Sequence, residues 1–213
     1  FRKLVEKIIK ELRPLFVSFS GGEPLLKKEL LFELIRKLKD NDIKVTLNTN
    51  GLIITPNIAK TLNKLKIDQI NINIDSLKNQ SKIRGGTNLL EKTLKSLETL
   101  KKYYPRDKIS IACVITKLNY LELYDLAKFV KKNKYAQLHL LDMIPCSTQE
   151  KKLILNKIQW LKFFKIFKKI QKLGIAIKPN HALLFLEDLK KVKIPFCMAG
   201  RFKMVITANG SII

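Results

Sequence analysis

The chain has 213 residues, 46% hydrophobic and 28% charged, a balance typical of a folded globular protein that argues against intrinsic disorder. No apolar run approaches the roughly 20 residues of a membrane-spanning helix, so we expect a cytoplasmic protein without a membrane partner. The net charge of +24 favours anionic partners such as nucleic acid. However, the basic residues are nearly all lysines scattered over helix faces, which favours a solvated surface.

The first predicted element is an amphipathic helix, because apolar residues recur at helical spacing between Phe1 and Leu12. Pro14 ends it, and an apolar run over 15–19 predicts a buried strand. A loop with Gly21, Gly22 and Glu23 follows. The chain begins inside a helix without an initiator methionine, and we therefore expect a fragment or a processed chain.

Strands and helices then alternate as far as residue 144. Strands are predicted over 44–48, 69–75, 109–115 and 137–144, and helices over 30–38, from Thr55 and Pro56 to 65, over 90–100 and over 120–132. Residues 76–86 are predicted to be a loop. Such alternation indicates a parallel sheet with right-handed crossovers, as in an α/β barrel or a doubly wound sheet.

The pattern changes after Pro145. A long helix is predicted over 157–173, a short strand over 175–177 and a helix over about 181–189. Asn209-Gly210 predicts the turn of a β-hairpin over 204–213. This segment is expected to be a small C-terminal α+β extension.

The Gly21 to Glu23 loop has the chemistry of a ligand site. Two glycines leave the backbone bare and free to take positive φ, and the Glu23 carboxylate can accept hydrogen bonds from an ammonium group. The alternative is that the glycines only make a tight turn and that Glu23 is an acidic residue of the first helical turn.

Four segments lie at the ends of predicted strands or shortly beyond them: Ser20-Gly21-Gly22-Glu23-Pro24-Leu25, Asn48-Thr49-Asn50-Gly51, Asn71-Ile72-Asn73-Ile74-Asp75-Ser76 and Arg84-Gly85-Gly86. In this order they resemble motifs of the radical S-adenosylmethionine (SAM) enzymes. The resemblance implies a partial (β/α)6 TIM-like barrel over residues 1–147 with its first strand missing.

The resemblance also implies roles for single residues. The loop of Gly21, Gly22 and Glu23 would bind the amino group of SAM, and Arg84 its carboxylate. The ribose would be held by the segment with Asn73 and Asp75. Asn48 belongs to the turn at the end of the strand predicted over 44–48. Ile144 stands where relatives pack the adenine. The alternatives are a solvated Arg84 and outward-facing Asn73 and Asp75.

The cysteines are Cys113, Cys146 and Cys197, with no close spacing of a zinc site or redox pair. Cys113 is interpreted as a small core residue. Cys197 and Gly210 resemble the opening of a SPASM domain, which implies an incomplete auxiliary-cluster domain over 197–213, after a helical linker over 148–196. Cys197 would then be a ligand of an auxiliary iron–sulfur cluster; a plain buried cysteine is the equal alternative.

The resemblance implies an enzyme that uses SAM and a [4Fe–4S] cluster to generate a 5′-deoxyadenosyl radical. The radical would modify a peptide, a protein or a small molecule such as a tetrapyrrole, and ferredoxin or flavodoxin would donate the electron. The Cys-x3-Cys-x2-Cys triplet that holds the cluster is absent from the sequence, so the chain as given is expected to be inactive. The alternatives are a degenerate, non-catalytic SAM-binding protein and a basic nucleic-acid-binding protein.

Overall fold

A single parallel sheet of six strands organises the described part of the chain, and its strand order is the same as the chain order. The structure is a computed structural model that describes residues 1–145, 147–178 and 205–207. The strands are β1 (Phe16–Phe19), β2 (Lys44–Thr49), β3 (Gln69–Asn73), β4 (Ile109–Ile115), β5 (Gln137–Asp142) and β6 (Ile177–Lys178). The predicted α/β architecture is therefore confirmed.

Helices connect the strands. They are α1 (Arg2–Lys7), α2 (Lys28–Lys39), α3 (Pro56–Lys64), α4 (Gln80–Arg84), α5 (Leu89–Tyr103), α6 (Leu123–Asn133), α7 (Thr148–Lys151) and α8 (Lys157–Gln171). A π-helical turn (Ile8–Leu12) extends α1, and 3-10 turns cover Pro24–Lys27 and Arg106–Lys108. Among these residues, no helix is long and apolar enough to cross a membrane.

Two local predictions have different outcomes. Thr55 caps α3 as expected, because its hydroxyl accepts a hydrogen bond from the N–H of Ile58 at 3.3 Å and Pro56 occupies the first turn. The segment 76–86, predicted to be a loop, contains the short helix α4. Five residues are too few to show a helical apolar period, so the sequence pattern could not reveal it.

The two faces of the sheet differ in polarity. In β2, Val45 and Leu47 are buried in the core that the helices share, whereas Thr46 and Asn48 point to the opposite face and are half-buried. The same alternation in β3 buries Ile70 and Ile72 in that core. We call the face away from the helices the inner face; in β2 and β3 it carries hydroxyl and amide side chains.

The sheet extends beyond the predicted barrel. β6 pairs in parallel with β5, with Leu138 opposite Ile177, and Phe163 and Phe167 of α8 are buried in the common core. In the described part of the predicted linker over 148–196, α8 is followed by β6, which pairs with the sheet; the linker itself stays a prediction. The helix predicted over 181–189 lies outside the described residues, as does the predicted hairpin except for residues 205–207.

Asp68 links the starts of two strands to α2. Its Oδ2 accepts hydrogen bonds from Lys39 Nζ at 2.8 Å and from the N–H of Val45 at 2.7 Å. Partial burial raises the pKa of Asp68, but these two donors together outweigh it and hold the pKa below its usual range.

Because this pKa is lowered in the folded state, the carboxylate stabilises the fold at neutral pH, and that contribution is lost as pH falls through the folded pKa. We expect Asp68→Asn to flatten the loss of stability between about pH 5 and about pH 3. Urea unfolding at several pH values across this range measures the free energy of unfolding. Asp40→Asn, an exposed position with no side-chain hydrogen bond in the described chain, should leave the profile unchanged.

Candidate functional site

The predicted cofactor-binding residues, all within the described part of the chain, lie at or beyond one edge of the sheet. In a parallel sheet the carboxyl ends of all strands meet at the same edge, where α/β proteins place ligand chemistry. The strand pairing puts the loops after β1, β2 and β3 next to one another in that order. Hydrogen bonds between these loops show how the edge is built.

Glu23 joins the loops after β1 and β2. Its Oε1 accepts from Thr49 Oγ1 at 2.7 Å and from the N–H of Leu25 at 3.2 Å, and its Oε2 accepts from the N–H of Asn50 at 2.8 Å. Glu23 thereby also caps the short 3-10 turn that follows it and lies just before the first turn, where the alternative had placed it. A carboxylate has about four acceptor positions, so one position on Oε2 is left for a ligand.

Gly51 allows the turn after β2 to pack tightly. Its φ of +73° is strained for other residues, and a Cβ here would lie 3.1 Å from Cγ2 of Ile72. The Thr49 hydroxyl accepts from the N–H of Gly51 at 3.1 Å, and Thr93 donates to the carbonyl of Asn50 at 3.3 Å. The turn that holds Glu23 is thus fixed from two sides.

Gly21 and Gly22 leave open space at this edge. Both are exposed and have positive φ, +87° and +52°, and a Cβ built on either would meet no atom within 4 Å. A ligand can therefore approach the backbone of this loop directly. This open cradle fits the binding of SAM.

The two asparagines of the inner face differ in what they can offer. The Asn48 amide donates to Ser18 Oγ at 2.8 Å and to the Phe19 carbonyl at 3.2 Å, and it accepts from Asn71 at 2.7 Å. It is therefore occupied in joining β1 to β3. The side chain of Asn73 has no hydrogen-bond partner in the described part of the chain and is half-buried, so its amide is available to a ligand.

Asp75 and Arg84 form an ion pair beyond the end of β3. The side chain of Asp75 is 0% exposed, its Oδ1 accepts from the N–H of Val114 at 2.7 Å, and its Oδ2 accepts from Arg84 Nε. Arg84 is 38% exposed. The expected direct contact of Asp75 with a cofactor does not fit this burial, whereas Arg84 can reach a ligand.

Two buried amides that the sequence analysis missed hold this region. Gln80 accepts from the N–H of Asp75 at 2.8 Å and donates to the carbonyl of Asn73 at 3.3 Å. Asn119 donates to the carbonyls of Asp75 and Val114, both at 2.8 Å. Neither stands in a recognisable motif, and burial of a polar amide is not visible in a local sequence pattern.

The described residues do not supply a cluster site. No group of three His, Cys, Asp or Glu among them could hold a metal ion. Cys113 is fully buried and burial raises its pKa well above the usual value, which confirms it as a core residue. Cys146 and Cys197 lie outside the described residues. Ile144, predicted to pack adenine, follows β5 and is 79% exposed.

The parallel strands, with polar loops gathered at their carboxyl ends, define the class of this protein as an α/β protein with a partial TIM-barrel architecture. Residues 2–130 match the radical SAM superfamily, and the chain belongs to that superfamily. Enzymes of this family use SAM and a [4Fe–4S] cluster.

Curated relatives include enzymes with different substrates in their names. A probable GTP 3′,8-cyclase of Sulfurisphaera tokodaii is 29% identical over 98% of this chain and 68% of its own length. The probable GTP 3′,8-cyclase of Pyrococcus horikoshii is 31% identical over 53% of this chain and 36% of its own length. An AdoMet-dependent heme synthase of Methanosarcina barkeri is 26% identical over 68% of this chain and 41% of its own length.

Solved structures share the fold. Native anSMEcpe with bound AdoMet and the Cp18Cys peptide superposes with a TM-score of 0.66 at 22% identity, covering 82% of this chain and 53% of that chain. Streptococcus suis SuiB superposes with a TM-score of 0.67 at 19% identity, covering 92% of this chain and 46% of that chain. The chain thus spans about half the length of these structures.

Proposed function

We propose that this chain is the SAM-binding core of a radical SAM enzyme, with SAM bound at the carboxyl ends of β1 to β5. The observation that carries the proposal is the loop of Gly21, Gly22 and Glu23, which is held in place by the turn after β2 and leaves open space above its glycines. Membership of the superfamily supports the same cofactor.

Each available group has a counterpart on SAM. The remaining acceptor position of Glu23 suits the ammonium, and the free amide of Asn73 suits the ribose hydroxyls. The guanidinium of Arg84 suits the carboxylate, and the exposed Ile144 side chain suits the flat adenine. Asn48 supports the loop of Glu23 by bonding the end of β1, and its own contact with SAM stays a prediction.

When bound and reduced, SAM supplies the radical chemistry by which this family abstracts hydrogen from substrates. The described residues hold no cluster ligands, so the cluster and its electron donor, a ferredoxin or flavodoxin, belong to the proposal for the whole protein. Cys197 as an auxiliary-cluster ligand, a SPASM-like domain over 197–213 and a cytoplasmic location also remain predictions.

We propose a polar small molecule of the purine nucleotide class as the substrate. In β2 and β3 the inner face presents hydroxyl and amide side chains, and the net charge of +24 favours an anionic ligand. One relative named a GTP 3′,8-cyclase matches over 98% of this chain, whereas the peptide-bound neighbours share the fold alone. Calorimetric titration of the full-length protein with GTP and with a cysteine-containing peptide tests this choice, and preferential binding of the peptide would overturn it.

The SAM site is tested by replacing Gly21 with alanine. We expect Gly21→Ala to weaken SAM binding about tenfold, because a Cβ would enter the open cradle and the positive φ would be strained. Anaerobic titration calorimetry of the full-length protein measures the dissociation constant.

Gly174 offers a matched control. It also has a positive φ, +68°, with no atom within 4 Å of a built Cβ, but it lies in the turn between α8 and β6. Gly174→Ala should change SAM affinity by less than about twofold. Equal losses in both variants would show that the effect is general backbone strain, and full affinity in Gly21→Ala would place SAM elsewhere.

A nucleic-acid-binding protein is the second candidate, supported by the net charge of +24. It predicts binding of RNA or DNA that weakens steeply with salt and does not depend on SAM. Fluorescence anisotropy with a labelled oligonucleotide at several salt concentrations measures this. A flat salt dependence would contradict it.

A further inference from the structure

Asp75 is held at every polar atom by the protein. Its N–H donates to Gln80, its carbonyl accepts from Asn119, and its Oδ1 accepts from the N–H of Val114. The one remaining carboxylate oxygen, Oδ2, accepts from Arg84 Nε. These hydrogen bonds hold both the backbone and the side chain of Asp75, and they fix the position of the carboxylate.

Within the part of the chain that the structure describes, Arg84 is bound by only one of its donors. A guanidinium has five N–H groups, and the bond to Asp75 uses the one on Nε. The four N–H groups on the two Nη atoms make no hydrogen bond within the described residues, and the side chain is 38% exposed. Arg84 therefore presents a free planar fork of donors while its Nε edge is held.

We propose that Asp75 is a positioning residue that holds Arg84 by its Nε–H and so directs the Nη fork at the carboxylate of SAM. This inference rests on the proposed function and adds a residue that acts on the cofactor through another. A planar fork binds a carboxylate in two places only when its orientation is set, and the buried Asp75 sets it without occupying the binding edge.

The short helix α4 contributes to the same arrangement. It begins at Gln80, whose amide bonds the backbone of Asp75 and Asn73, and it ends at Arg84, whose Nε bonds the carboxylate of Asp75. Both ends of α4 are thus tied to one residue. Asp75 therefore positions Arg84 in two ways: its backbone N–H holds the start of α4 through Gln80, and its carboxylate holds Arg84 itself.

The test compares two ligands, SAM and its decarboxylated analogue, which differ only in the carboxylate. We expect Asp75→Asn to weaken SAM binding to the full-length protein about fivefold to tenfold and to change binding of the analogue by less than about twofold. A purely structural role of Asp75 would weaken both ligands equally, and that result would overturn the proposal. Wild-type protein that binds neither ligand would instead overturn the proposed function.

A double-mutant cycle shows whether Asp75 acts through Arg84. Arg84→Gln should remove the preference for SAM over the analogue, and adding Asp75→Asn to it should have no further effect on that preference. Additive effects of the two substitutions would overturn the proposal.

Nitrogen NMR of the wild-type protein does not depend on how a variant folds. The Arg84 Nε–H resonance, assigned by through-bond correlation to the Arg84 backbone amide of the wild-type protein, should be protected from exchange and unchanged on addition of SAM, while the Nη resonances shift. Movement of the Nε resonance together with unchanged Nη resonances would contradict the proposed geometry.

Discussion

Replacing Glu23 with alanine is expected to lower the free energy of unfolding by about 2 to 4 kcal/mol and to weaken SAM binding at least about tenfold. The variant leaves three donors without an acceptor, on Leu25, Thr49 and Asn50, and it separates the loop after β1 from the turn after β2. Urea unfolding and anaerobic titration calorimetry of the full-length protein measure the two effects.

Two control variants separate the loss of a negative charge from the loss of the hydrogen bonds that join the two loops. Glu29→Ala removes a carboxylate that is 81% exposed and 4.0 Å from Lys28, and it should change stability by less than about 0.5 kcal/mol. Glu23→Gln keeps one acceptor oxygen and should have an intermediate effect on stability. If Glu23→Ala binds SAM as tightly as the wild type does, Glu23 does not belong to the cofactor site.

Asn119→Ala is expected to cost about 3 to 5 kcal/mol of stability. Asn119 is buried, and its amide bonds the carbonyls of Asp75 and Val114 and the N–H of Thr116. Alanine would leave these backbone groups unpaired inside the protein. Urea unfolding of the full-length protein measures the change.

The position of Asp75 is expected to loosen in this variant, so the preference for SAM over its decarboxylated analogue should fall as well. Asn41→Ala is the matched control, because Asn41 is exposed and bonds a single carbonyl, that of Lys37, at 2.8 Å. Its effect should stay within about 0.5 kcal/mol. A loss in Asn119→Ala as small as that of the control would show that water replaces the amide.

Much of the fold could be predicted because its signals are local. Alternation of apolar residues marks β3, an apolar run interrupted only by Ser110 marks β4, and Thr55 with Pro56 marks the start of α3. Each signal reports a residue and its neighbours within a few positions. The position of β6 in the sheet depends instead on its pairing with β5, about 40 residues earlier in the chain. A strand of two residues carries too little pattern to predict its pairing partner.

The candidate site could be predicted in part for the same reason. The loop from Gly21 to Glu23 is a compact motif, and its residues do lie together at the sheet edge. The burial of Asp75 could not be foreseen, because it follows from contacts with Val114 and Asn119, about 40 residues away in sequence. A motif shows which chemical groups are present, whereas long-range packing decides which of them a ligand can reach.

The identity of strand order and chain order has a consequence for how the protein is made. Because each of the six described strands pairs only with those next to it in sequence, the sheet can grow by adding one strand at a time, from β1 to β6, as the chain leaves the ribosome. Glu23 would meet Thr49 when β2 docks, and Asp75 would meet Val114 when β4 docks. We therefore expect the proposed SAM site to form during synthesis, in the order in which its residues leave the ribosome.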